Sequence, residues 1–445
     1  PTTEIYTLTQ HDALPICSRY ATLGLFGQDA VEFVPGKLRM LAGARLTAVR
    51  FRAFAGRNLD AAGRPFGVAD SRQTFRDLAF NTSLLYQATP VLGVHALVGR
   101  GFRAPNLNDL GAIGLNDLGY EIPAGEAIPA GALLAASAGE DALPAGGRLR
   151  KLEPERLSSY EAGFKVTTRR LYARAHVFDA ELTDPIVRRT LLFPAGQAPA
   201  ALAGLEVTPV APTPAQLAAG VVGVATALDP RAVKAFVNDG HSRYYGVESL
   251  ARYAISSRWA VAVNYTFLAG RDLHPNRPIR RLPPQQGYAS VRYTPSGRRP
   301  WLELGATATG AQRRLSGGDR DDERIGASRR RADIADFFSG ALAGPFVSGG
   351  VFLPTGETLA QIRDRVLPVG AVINGVRVAS DTTRVPLYLA TAGWFTADLR
   401  GGFALGECAS LHFAVMNLLD RNYRVHGSGL DAPGANAWIG LRYRF

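Results

Sequence analysis

The chain has 445 residues, 47% of them apolar, and a mean hydropathy near zero, which excludes a disordered chain and a helical membrane protein. The net charge is +12, and most of the cations are arginines. Because these arginines are spread along the chain and form no single stripe, we expect no nucleic-acid partner. The two cysteines, Cys17 and Cys408, belong to no metal-ligand or redox motif, so no metal site is expected.

The first residues differ from the rest of the chain. Residues 1–16 resemble the translated read-through of a sequencing adapter, so we predict a non-native segment there and native sequence over 17–445. No signal peptide opens the sequence. Because a transmembrane β-barrel, the fold that the strands of this chain predict, has to be exported, we expect the natural N-terminus to lie upstream.

Segments with the length and composition of β-strands recur through the chain. A strand that crosses a bilayer needs ~9–11 residues, and these segments match that length. In 258–268, for example, Val261 and Val263 lie on one face and Ala262 and Asn264 on the other. The thirteen predicted strands are 19–29, 37–51, 79–88, 91–101, 158–168, 170–181, 243–255, 258–268, 286–294, 300–312, 393–404, 409–418 and 436–445.

The connections alternate between short turns and long loops, which is typical of outer-membrane barrels and rare in compact soluble domains. The predicted long loops are 52–78, 102–157, 182–242, 269–285, 313–392 and 419–435.

The last strand shows the same two-faced pattern at the end of the chain. Ile439, Leu441, Tyr443 and Phe445 lie on one face, and arginines lie on the other. We therefore predict an all-β fold, a transmembrane antiparallel β-barrel with lipid outside.

The last strand follows a long loop, so the C-terminus is expected in the periplasm. The first strand ends in a short turn and runs the same way, so an odd number of strands is predicted to be missing.

Five motifs resemble those of one known family, the TonB-dependent outer-membrane transporters. G-R-G-F-R-A-P-N-L-N-D-L (99–110) resembles the motif where a strand exits into a long extracellular loop, and L-E-P-E-R-L-S-S-Y-E-A-G-F-K (152–165) resembles the motif where the chain returns. Y-Y-G-V-E (244–248), R-L-P-P-Q-Q-G (281–287) and M-N-L-L-D-R-N-Y (416–423) resemble later barrel motifs.

The resemblance implies a 22-stranded barrel closed by an N-terminal plug, of which about thirteen strands are present here and the plug is missing. It implies active import of a scarce ligand, such as a ferric siderophore or similar chelate, cobalamin or a glycan. Heme is disfavoured because no histidine lies between residues 106 and 151. The implied partners are the TonB energy-transducing complex, the barrel-assembly machinery, outer-membrane lipid and lipopolysaccharide.

Candidate ligand contacts follow the exit motif. Arg103, Asn106, Asn108 and Asp109 would sit at the extracellular mouth of the barrel, where a polar ligand passes. Ile439, Leu441, Tyr443 and Phe445 resemble the signal that the barrel-assembly machinery recognises. No nucleophile, base or metal-ligand set has convincing spacing, so no catalytic residue, cofactor or enzyme activity is predicted.

Two other interpretations remain open from the sequence. A passive porin or adhesin-type barrel would have the same strands without energised transport. A soluble β-sandwich would pack the apolar faces against a second sheet. The acidic segment at 317–325 is compatible with calcium, but its interleaved arginines favour pairing among its own charges.

Overall fold

The computed structural model describes residues 18–54, 63, 67–116, 119–273, 276–295, 300–322, 325, 328–340 and 343–444. Residues 1–16, Cys17 and Phe445 lie outside the described residues. The division into a non-native segment and native chain therefore stays a prediction.

The described chain is mostly strands joined by short helices. The strands are β1 (Arg19–Val34), β2 (Leu38–Ala53), β3 (Ser71–Gln87), β4 (Leu92–Arg103), β5 (Gly114–Asn116), β6 (Gly119–Glu121), β7 (Leu133–Ala135), β8 (Pro144–Arg148), β9 (Glu155–Thr167), β10 (Leu171–Thr183), β11 (Ile186–Pro194), β12 (Ala201–Leu202), β13 (Leu205–Pro209), β14 (Val221–Thr226), β15 (Lys234–Asn238), β16 (His241–Ala254), β17 (Trp259–Leu273), β18 (Asn276–Pro278), β19 (Gln286–Tyr293), β20 (Trp301–Thr309), β21 (Ser328–Arg330), β22 (Val347–Ser348), β23 (Val351–Phe352), β24 (Glu357–Thr358), β25 (Val372–Ile373), β26 (Val376–Arg377), β27 (Arg384–Pro386), β28 (Trp394–Ala404), β29 (Ala409–Met416) and β30 (Asn436–Tyr443). The helices are α1 (Leu107–Gly111), α2 (Ala124–Ala127), α3 (Pro214–Ala218), α4 (Gly317–Asp321), α5 (Asp333–Ser339) and α6 (Leu359–Val366), with one 3₁₀ helix at Gly344–Phe346.

Thirteen of these strands are neighbours in one large sheet, in the order β1-β2-β3-β4-β9-β10-β16-β17-β19-β20-β28-β29-β30, and β18 pairs with β17. Each of the thirteen predicted strands overlaps one of them, so the predicted strand order is confirmed. The boundaries differ most at β3, which begins at Ser71 instead of residue 79. The sequence there contains Asp77, which is paired in the fold with Arg100 of β4 and Arg156 of β9.

The register of the strands separates an apolar face from a polar one. Leu304 of β20 lies opposite Val291 of β19 and Leu399 of β28. One position earlier, Glu303 lies opposite Arg292 and Arg400 of the same two neighbours. Because side chains alternate along a strand, these two rows face opposite sides of the sheet.

The chain forms two compact units. The first comprises residues 1–85, 96–160 and 180–242, and the second comprises 86–95, 161–179 and 243–445. In the first unit, a 9-stranded sheet has the order β12-β13-β14-β11-β15-β6-β5, with β7 paired to β11 and β8 to β7. Its core contains Tyr120, Leu191, Phe193 and Val224. The predicted long loops 102–157 and 182–242 thus supply a folded sheet with its own apolar core.

A second apolar cluster in the first unit fixes the ends of β2 and β3 to the residues that follow β4. Val49, Phe51 and Phe75 come from these strands, Leu110 comes from α1, and Leu152 precedes β9. Burial of each such side chain contributes roughly 1.5–3 kcal/mol, so this cluster holds α1 and the start of β9 in place.

The second unit contains a further small core within residues 313–392, the longest predicted loop. Ile334, Ile362, Leu367, Val378 and Val385 are buried together there. Helices α5 and α6 and the pair β21–β27 surround this cluster. This connection is therefore a small folded subdomain.

Candidate ligand-binding site

The exit from β4 is shaped by a reciprocal cap on α1. Asn106 is the N-cap residue, and its Oδ1 accepts a hydrogen bond of 2.9 Å from the backbone N–H of Asp109. Asp109 Oδ2 accepts one of 2.9 Å from the backbone N–H of Asn106. Two N–H groups that a helix start leaves unpaired are satisfied in this way. The sequence N-L-N-D therefore fixes the turn that follows F-R-A-P.

Arg103, the last residue of β4, joins this turn to the start of β9. Its Nη1 donates to Asp109 Oδ2 over 2.7 Å, and its Nε donates to Glu155 Oε2 over 2.6 Å. The Glu155 Oε1 accepts a hydrogen bond of 2.6 Å from the backbone N–H of Ile186. The Asp109 side chain is 7% exposed and that of Glu155 is 14% exposed, so both carboxylates are largely withdrawn from water. The exit and return motifs are thus held together by one guanidinium.

A second ion cluster ties the same region to β3. Asp77 is buried, and its Oδ1 lies 2.9 Å from Arg100 Nη2. Its Oδ2 accepts a hydrogen bond of 2.8 Å from Arg156 Nε. Removing either cation would leave a buried carboxylate less well compensated, so the cluster orders the ends of three strands.

The structure places the four predicted contact residues within one turn but gives them different surroundings. Arg103, Asn106 and Asp109 are engaged in the cap and ion pairs described above. The exposed Asn108 side chain forms no hydrogen bond within the described part of the chain. Contact of these residues with a ligand stays a prediction. Sequence reasoning missed Glu155, although opposite charges in the exit and return motifs were an available signal.

The motif M-N-L-L-D-R-N-Y fixes the last long loop in the second unit. The backbone N–H of Asn417 donates to Asp398 Oδ1 over 2.9 Å. Its side-chain Nδ2 donates to the carbonyls of Arg421 (2.9 Å) and Pro433 (3.2 Å). Asn417 has φ of 52°, a left-handed conformation that asparagine tolerates better than most residues. One buried asparagine therefore closes both ends of the loop on β28.

The same loop packs on the 313–392 subdomain through His426. Its Nδ1 lies 3.2 Å from Thr391 Oγ1, and its Nε2 is buried with no hydrogen-bond partner among the described residues. Burial lowers the pKa of His426, and the charge of Asp319 opposes that shift. The imidazole is therefore neutral at physiological pH.

The acidic segment at 317–325 binds arginines of another connection. The Asp322 Oδ2 accepts hydrogen bonds from Arg280 (2.9 Å) and Arg281 (3.2 Å). The buried Asp319 accepts a hydrogen bond of 2.9 Å from the backbone N–H of Arg281. The described part of the chain contains no group of three or more His, Cys, Asp or Glu side chains that could hold a metal ion.

No helix in the described ranges is both long enough and apolar enough to cross a membrane.

A sheet of this strand order, with an apolar and a polar face and long structured loops, defines an outer-membrane-type β-barrel protein. The chain belongs to the family "TonB dependent receptor-like, beta-barrel", whose profile matches residues 12–418. This is a family of outer-membrane receptors and transporters, and the predicted fold class and family are confirmed. No curated protein matches the chain by sequence.

Three solved structures show the likeness in fold. "Copper transporter OprC" matches with a TM-score of 0.57 at 14% identity, over 96% of this chain and 48% of that one. The FrpB iron transporter from Neisseria meningitidis (F3-3 variant) matches with a TM-score of 0.53 at 12% identity, over 96% and 46%. The siderophore receptor PirA from Acinetobacter baumannii matches with a TM-score of 0.51 at 14% identity, over 96% and 55%. The chain spans about half the length of the solved structures it matches.

Proposed function

We propose that this chain is the C-terminal part of the barrel of an active transporter that imports a scarce ligand across the outer membrane. Its match to the TonB-dependent receptor family over residues 12–418 carries this proposal. The three structural neighbours are named as a copper transporter, an iron transporter and a siderophore receptor, which supports a metal or metal chelate as cargo. The proposed ligand is a ferric siderophore or similar chelate, with cobalamin or a glycan as the alternatives.

In this proposal the long loops first meet the ligand and the TonB complex then supplies the energy through an N-terminal plug. The hydrogen bond between Arg103 and Glu155 holds the two ends of the 102–157 loop together, and the exposed Asn108 is available to contact the ligand. The apolar face of the sheet contacts lipid, with lipopolysaccharide at the outer leaflet and the C-terminus in the periplasm. Exposed apolar side chains of β30, Ile439, Leu441 and Tyr443, would be recognised by the barrel-assembly machinery.

Uptake in paired strains tests the transport proposal. The full gene would be expressed in cells with and without TonB, and accumulation of labelled ferric siderophores and cobalamin would be measured. We expect accumulation that requires TonB and is weakened by Asn108→Ala. Equal flux of small solutes in both strains would instead establish a passive porin-type barrel.

A further inference from the structure

Two arginines of β3 lie on the outer, apolar face of the large sheet. Exposed and more buried positions alternate along the first half of this strand. Arg72 and Arg76 are on the same face as Leu78, which is 42% exposed. The opposite face carries Phe75, which is buried in the apolar cluster with α1. Both guanidinium groups therefore lie on the side of the sheet that faces away from that cluster.

Strand β2 has the same order of apolar and basic side chains. Leu46 is 54% exposed, and Arg50 and Arg52 follow it on the same face. Val49 and Phe51, on the other face, are buried in the same apolar cluster. The arginines of β2 are therefore also on the outer face, beyond its apolar side chains.

Strand β1 continues this pattern across the sheet. Its register places Arg19 opposite Arg52 and Leu25 opposite Leu46. Both leucines are exposed. The apolar side chains of the two strands thus form one band, and the arginines lie past its end.

The arginines of β3 lie at the same end as those of β2. Gly43 of β2 is beside Asn81 of β3, since a Cβ at Gly43 would be 3.2 Å from Asn81 Oδ1. Later in β2, Phe51 shares its buried cluster with Phe75, which comes earlier in β3. The two strands therefore run in opposite directions, and their basic ends meet. We call the five residues the arginine row: Arg19, Arg50, Arg52, Arg72 and Arg76.

The charges of the arginine row are not paired within the described part of the chain. None of the five guanidinium groups forms a hydrogen bond or ion pair with a described residue, and Arg52 Nε is buried without a partner. In the next strands, by contrast, Arg100 and Arg156 share the buried carboxylate of Asp77. Five unpaired positive charges on one face create a potential that attracts an anionic partner.

The distance between the apolar band and the arginines decides which anion fits. At ~3.3 Å per residue, Arg76 lies about 7 Å beyond Leu78 along the strand, and Arg72 about 20 Å. A strand tilt of ~45° reduces these distances to heights of about 5 Å and 14 Å. The polar region of a phospholipid leaflet is only ~5–8 Å thick, so its phosphates reach Arg76 but not Arg72. The outer arginines need phosphates on a larger headgroup.

We propose that the arginine row binds the phosphate groups of lipopolysaccharide, whose acyl chains lie on the apolar band. Each guanidinium can donate two parallel hydrogen bonds to one phosphate, and phosphorylated sugars carry phosphate further from the acyl chains than a phospholipid does. Because all five arginines are on strands of the large sheet, hydrogen bonding between the strands fixes their spacing.

This assignment rests on the part of the proposed function that places the barrel in the outer membrane with its long loops outside the cell. It does not depend on transport. Lipopolysaccharide binding without TonB-dependent uptake would retain the site and contradict the transport proposal. Uptake by a protein that does not bind lipopolysaccharide would have the opposite meaning.

Native mass spectrometry of the full-length protein in detergent tests the site by titration with three lipids. The probes are lipopolysaccharide, the same lipopolysaccharide after removal of its phosphates, and phosphatidylglycerol. The test variant is Arg50→Gln with Arg72→Gln and Arg76→Gln. The matched control is Arg39→Gln with Arg169→Gln and Arg170→Gln, which removes the same charge from exposed positions at short turns. We expect the lipopolysaccharide affinity to fall about tenfold or more in the test variant and to stay unchanged in the control.

Three results would overturn the proposal. They are equal losses in the test and control variants, wild-type binding of dephosphorylated lipopolysaccharide as tight as that of the intact lipid, and phosphatidylglycerol binding as tight as that of lipopolysaccharide. If the triple variant does not fold, Arg72→Gln alone is decisive. It should weaken binding of lipopolysaccharide and leave that of phosphatidylglycerol unchanged, and any other pair of outcomes would contradict the assignment.

Discussion

The guanidinium of Arg103 donates from Nε to Glu155 Oε2 over 2.6 Å, although 52 positions separate the two residues. The residues between them form α1, α2 and four short strands. This one contact therefore joins the two ends of that long segment. Where the chain leaves the large sheet and where it returns is therefore set by a pair of charges.

Glu155→Gln tests whether the contact with Arg103 stabilises the segment between the two residues. The amide keeps the shape of the side chain and can still accept from Ile186, but it removes the charge that binds Arg103. We expect a loss of about 1–2 kcal/mol in stability, limited because the Arg103 side chain is 44% exposed. Thermal unfolding in detergent measures it. Glu153→Gln is the matched control, because the Glu153 side chain is mostly exposed and lies 4.0 Å from its cation. Equal losses in the two variants would contradict this role.

The pair of Lys234 and Glu140 tests how a buried cation is compensated. Lys234 is 1% exposed, and its Nζ donates to Glu140 Oε1 over 2.7 Å and to the Ala232 carbonyl over 3.0 Å. Glu140→Gln leaves the ammonium without its counter-charge, and we expect a loss of about 2–4 kcal/mol. Adding Lys234→Met should recover most of that loss, since the apolar side chain needs no counter-charge. Chemical unfolding of the single and double variants decides it; a double variant less stable than Glu140→Gln would refute the account.

Asn417→Ala should release the last long loop. The change removes three side-chain hydrogen bonds and places alanine at a positive φ, a combined cost of about 2–3 kcal/mol. We expect faster tryptic cleavage after Arg421 and Arg424 in the loop. Asn422→Ala, at an exposed neighbouring position, should leave cleavage unchanged. Cleavage of Asn417→Ala at the wild-type rate would show that other contacts close the loop.

Acidification should loosen the same loop through His426. Burial holds the pKa of His426 below its ordinary value of ~6.5, so the released loop binds the proton more readily than the docked one. Docking is therefore fully stable above that value and weakens as the pH falls from it towards the lowered pKa. The ring of Trp394 stacks on Tyr423 of the loop at 4.3 Å, so Trp394 fluorescence reports docking. His426→Gln should abolish the pH dependence; an unchanged profile would assign it to another group.

The two faces of β17 predict opposite effects of a new charge. Val263 is on the apolar face and 48% exposed, and its neighbour Asn264 is on the polar face. Val263→Arg should cost about 2–4 kcal/mol if the position lies near the bilayer midplane, and Asn264→Arg much less. The yield of folded protein after refolding into lipid vesicles measures the difference. Similar yields for both variants would indicate that the apolar face does not contact lipid.

The sequence by itself determined the thirteen strands of the large sheet, because period-two alternation depends only on neighbouring residues in one strand. It also determined the family, through motifs such as F-R-A-P at 102–105 and M-N-L-L-D-R-N-Y at 416–423, and the matched family profile confirms it. These signals are local, and they need no knowledge of which distant segments meet.

Only the tertiary structure decided which charges are compensated. Arg103, a predicted ligand contact, is paired in the fold with Asp109 and Glu155, which the sequence alone did not indicate. It also turned predicted loops into folded subdomains, because their apolar residues form cores only when segments far apart in the chain come together. Ion pairing and burial depend on distances in space, and chain order fixes those distances only where hydrogen bonding imposes a register.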